Sequence, residues 1–118
     1  MRGAAVSGPT RECDLELHEK LALWRRRLTL TRADAARVLK VTTWQVAEAE
    51  RNRAELGVDV PWTGDRALRD HERCIIYRRR AGVTQARVAS DLGVTRVWVN
   101  RMERGSEKCC DLLWYWEQ

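Results

Sequence analysis

Apolar residues recur three and four positions apart along most of the chain, and the pattern breaks at Gly, Pro and Thr. That spacing lines one side of an α-helix rather than one face of a strand. Over 65–81, Leu68, Cys74, Ile75 and Tyr77 supply an apolar stripe, with Asp65 in the first turn after Pro61 and Thr63. Gly82 stands where a left-handed C-terminal cap is needed. Thr84 then N-caps "QARVASDL", which stops at Gly93, and Thr95 caps "RVWVNRMER", which stops at Gly105. Each Thr hydroxyl can accept from a free first-turn amide, worth about 1 kcal/mol. A short apolar helix is expected in "EKCCDLLWYWEQ". Upstream, the pattern predicts a helix over about 11–27, one over 32–39 capped by Thr31, and one over 43–51 capped by Thr42. The expected fold class is all-α.

The two halves of this pattern are one phrase written twice. Residues 10–52 laid over 63–105 without gaps share 16 identities in 43 positions, among them His18/His71, Glu19/Glu72, Arg25–Arg27/Arg78–Arg80 and Glu50/Glu103. An ungapped match of that length points to internal duplication. The expected organisation is a disordered lead over 1–9, a first unit over 10–53, a linker over 54–62 and a second unit over 63–118. Units of about 50 residues bury little core and are marginal alone. At one tight turn Lys40 replaces Gly93, and a positive φ there would cost Lys about 1 kcal/mol.

Composition adds a partner class and removes several others. The net charge of +5 is carried by 19 Arg and only 3 Lys. Guanidinium forks suit phosphate, although GC-rich coding produces the same bias. Cys13, Cys74, Cys109 and Cys110 lack the paired spacing of a zinc site, and His18 and His71 sit far from a second ligand. No metal and no cofactor are expected. Reduced thiols, the lack of an apolar run of membrane length and the lack of an apolar leader segment give a cytoplasmic expectation. No nucleophile–base pair or Gly-rich phosphate loop is visible, so an enzyme is not expected.

A Thr-capped helix, a tight turn and a second Thr-capped helix have the spacing of a helix-turn-helix. Ala36 and Ala89 let two helices cross closely, and Leu39, Val41 and Val46 or Leu92, Val94 and Val99 form the wedge between them. Here the sequence resembles the lambda repressor/Cro (XRE-type) family, closely over "RRRAGVTQARVASDLGVTRVWVNRMERG" (78–105) and more loosely over "RRRLTLTRADAARVLKVTTWQVAEAERN" (25–52). The resemblance implies two tandem helix-turn-helix units in one chain. It implies base contacts from Arg96, Val97, Asn100 and Arg101, phosphate contacts from Gln85 and Arg104, and ion pairs Arg78–Glu103 and Arg25–Glu50. Family units have five helices. The first copy is short of its last two, so the helix over 65–80 is expected to close both cores.

Residue chemistry gives its own account of the reading face. On a helix begun at 95, residues 96, 97, 100, 101 and 104 share one side. Arg grips guanine O6/N7 and Asn grips adenine N6/N7. In the first copy that side is Thr43, Trp44, Ala47, Glu48 and Arg51. One reading gives it base contacts, with Trp44 on thymine methyls and Glu48 accepting from cytosine N4, while Arg32 and Arg51 hold phosphates. The other makes it a scaffold or contact surface. The expected function is that of a sequence-specific double-stranded DNA-binding regulator, a repressor from a phage or mobile element. The rival is a protein-interaction module engaging RNA polymerase, because 94–108 also resembles the promoter-reading segment of bacterial sigma factors. The rings of 112–116 complete the second core and also fit a homodimer contact.

Overall fold

The computed structural model describes residues 10–62 and 66–117. Its elements are a 3₁₀ turn at Glu12–Asp14 and the helices α1 (Leu17–Arg27), α2 (Arg32–Leu39), α3 (Thr43–Glu50), α4 (Asp70–Ala81), α5 (Gln85–Leu92), α6 (Arg96–Glu103) and α7 (Cys110–Trp116). The fold is all-α. It divides into two compact units, one of Arg11–Arg66 and one holding Ala67 onward together with Thr10, whose carbonyl accepts from the Leu68 amide at 3.2 Å. The lead over 1–9, and Thr63 and Asp65 as helix-start signals, lie outside the described residues.

The helices expected from about 11 and 65 begin later, at Leu17 and Asp70. A buried glutamate sets each start. Glu19 accepts from the Glu16 amide at 2.9 Å, and Glu72 accepts from the Arg69 amide at 3.0 Å. A carboxylate three residues in satisfies an amide the helix itself cannot use. Further on, Thr31, Thr42, Thr84 and Thr95 each accept from the amide three residues later at 3.1 Å. These four caps fix where the short helices of each unit begin.

α2 and α5 end on the same device. Lys40 (φ 58) and Gly93 (φ 72) are left-handed, and the chain then turns into the next helix. Two more turns follow the same pairing, with Thr29 and Asn52 of the first unit at the places of Gly82 and Gly105. All three turns of the second unit use glycine, whereas the first unit puts side chains into the left-handed region. A β-branched Thr suffers most there. Thr29→Gly and Lys40→Gly should each raise the unfolding free energy of the first unit by about 0.5–1 kcal/mol per site, set against the entropy that glycine adds to the unfolded chain. Urea titration checks this.

α1 packs on α3 in the first unit, and α4 packs on α6 and α7 in the second. The first core holds Leu21, Trp24, Ala35, Ala36, Leu39, Val46 and Ala49, completed by Leu56 and Val60 with Trp62 packed against them. The segment read as a linker is therefore part of the core, and an irregular stretch takes the place of the helices the first copy lacks. Arg27 lies 4.4 Å from the Trp62 ring centre, a cation–π contact that holds this segment down.

The second core holds Cys74, Tyr77, Val88, Ala89, Val99 and Met102, closed by Leu112, Tyr115 and Trp116 of α7. Tyr77 stacks on Trp116 at 6.2 Å, and Tyr115 meets Trp116 edge-on at 5.0 Å. The Tyr115 hydroxyl also donates to Asp91 of α5 at 2.6 Å. Burial, then the neighbouring Cys109, pushes the Cys74 thiol far above the ordinary cysteine range. It acts as an apolar packing group at neutral pH.

Candidate nucleic-acid interface

Each unit is built around a carboxylate that joins three helices. Glu103 of α6 is fully buried. Arg78 of α4 donates to it through Nε at 2.7 Å and Nη2 at 3.1 Å, and Gln85 of α5 donates at 3.0 Å. The remaining Arg78 fork nitrogen donates to the Val83 carbonyl at 3.2 Å, so the loop after α4 is held as well. The first unit repeats this design. Arg25 donates to buried Glu50 at 2.6 and 3.3 Å and to the Leu30 carbonyl at 3.0 Å, and Arg32 takes the place of Gln85 at 3.3 Å. Paired, charge-assisted bonds of this kind fix angle as well as distance. The third helix of each unit is thereby locked with a defined face outward.

On α6 that face is basic. Arg96, Val97, Arg101 and Arg104 are exposed. The three arginines make no ion pair among the described residues, so their forks are available. Asn100 is half-buried and its Oδ1 accepts from Gln85 at 3.3 Å. That engages the oxygen an asparagine would use toward the adenine amine. Gln85 itself is turned toward Glu103 and Asn100. The matching face of α3 exposes Thr43, Trp44 and Arg51 and half-buries Ala47 and Glu48. Arg32 is 41% exposed while bonded to Glu50.

The inward roles of Gln85 and Arg32, and the helix-starting roles of Glu19 and Glu72, are absent from the sequence reading. The signal for the glutamates was present, since both belong to the repeated positions. Gln85 and Arg32 differ in type, which hid their shared place. Among the described residues no cluster of His, Cys, Asp and Glu could hold a metal ion, and no helix is long and apolar enough to cross a membrane.

Residues 76–109 match the model of a family described as a helix-turn-helix domain. The match runs from within α4 through α5 and α6 to the segment before α7. It covers under a third of the 118 residues and supports DNA binding by this unit. No curated protein and no solved structure matches the chain.

Proposed function

We propose that the chain is a sequence-specific double-stranded DNA-binding transcriptional regulator, built from two helix-turn-helix units of the lambda repressor/Cro kind and acting as a repressor in a phage or mobile element. One observation carries the reading: the exposed, unpaired Arg96, Arg101 and Arg104 on a helix seated by the buried Glu103 clamp. An eight-residue rod with free guanidinium forks fits the width and the acceptor pattern of a major groove. The lambda repressor/Cro resemblance supports the repressor role. The repeated element bounds, 53 positions apart, support two units in one chain.

The test is binding to random and selected duplexes as salt is raised. A DNA reader making about four phosphate contacts loses affinity with a log–log slope near −3.6, and it prefers a selected site over random sequence by about 10³-fold or more. Affinity that ignores salt and sequence refutes the reading.

A further inference from the structure

α3 repeats the frame of α6 without its surface. Both helices have eight residues, begin on a threonine cap and end in a buried glutamate held by an arginine. Equivalent frames present equivalent sides outward, so differences in what lies on them are differences in what they recognise. Where α6 carries Arg96, Val97 and Arg101, α3 carries Thr43, Trp44 and Glu48.

Two features of that side ask for a ligand. The Trp44 side chain is left in water at 67% exposure, although an indole gains more from burial than almost any other group. Glu48 is half-buried on the same side, and no hydrogen bond holds its Oε2 in place. Arg51 Nη1 lies 3.9 Å from it, beyond bonding range. A carboxylate oxygen without a donor gains by turning outward to one that arrives.

We propose that α3 reads a pyrimidine-marked half-site in duplex DNA, with Trp44 against a thymine methyl and Glu48 accepting from the exocyclic amine of a cytosine. The inference rests on the DNA-binding reading above and extends it to the first unit. The thymine methyl is the apolar group that a base pair shows in the major groove, and the cytosine N4 amine is the donor there that suits a carboxylate. Exposed Arg51 and Lys40 flank the pair with cations suited to phosphate. The operator then has two unlike halves, one marked by guanine for α6 and one by cytosine and thymine for α3.

The experiment is selection from randomised duplexes with the full chain and with Glu48→Gln, Trp44→Ala and Arg101→Ala, each first checked for helical circular dichroism. The full chain should enrich two unlike blocks. Glu48→Gln should exchange one cytosine preference for adenine, since a carboxamide pairs with adenine N6/N7, and Trp44→Ala should flatten one thymine preference with about a tenfold loss of affinity. Arg101→Ala should disturb only the guanine block. A single block that answers to Arg101→Ala and to neither α3 variant overturns the inference while α6 remains a reader. Enrichment of no block at all brings down the reading of α6 as well.

Discussion

Glu103→Ala is expected to lower the stability of the second unit by about 3–5 kcal/mol, the usual cost of leaving half of a buried ion pair behind. The carboxylate is fully buried and receives three bonds, two from the Arg78 fork and one from Gln85. Its loss strands a guanidinium that is only 21% exposed, in a place shaped for a partner. It also unties α6 from both α4 and α5. Urea denaturation followed by circular dichroism measures the effect. Arg78→Ala should fall in the same range, and the double variant should lose less than the sum of the two, because the second substitution removes an already orphaned charge. A loss under about 1 kcal/mol would show that the pair behaves as a surface contact.

The second large effect falls on binding rather than folding. Arg96→Ala combined with Arg101→Ala should cost about 2–6 kcal/mol of discrimination against wrong bases, at about 1–3 kcal/mol for each bidentate contact. Both side chains are exposed, and neither belongs to a core. The variant should keep its melting behaviour while its preference for a selected operator over random duplex collapses. Competition binding at fixed salt separates this from a plain loss of charge, because charge loss weakens every sequence alike. Equal selectivity in parent and variant would remove these two residues from the site.

The caps show why so much of the fold was legible in the chain. Thr31, Thr42, Thr84 and Thr95 act on amides three residues away, so the residues that decide each helix start sit side by side in the sequence. Lys40 could likewise be read as left-handed from its alignment with Gly93. The side of α6 followed from i, i+4 spacing alone. What resisted reading depends on contacts between distant residues. Nothing local announces that Leu56 and Val60 complete a core, because Gly57 and Pro61 mark the segment as a loop and its apolar residues fall at every second position. Nothing local places Asp91 beneath the Tyr115 hydroxyl, 24 positions away. Nothing local places Gln85 against the buried Glu103 carboxylate, 18 positions away across the turn. The late starts of α1 and α4 are written locally, since Glu19 and Glu72 stand three places after each cap, although apolar residues continue upstream of both.

The left-handed Thr29, Lys40 and Asn52 have a consequence in time as well as in energy. Turns that store strain are where a folded unit breathes first. The mounting of α3 therefore relaxes more often than that of α6, whose hinges are all glycine. Amides in the turns on either side of α3 should therefore exchange with solvent faster than their counterparts around α6.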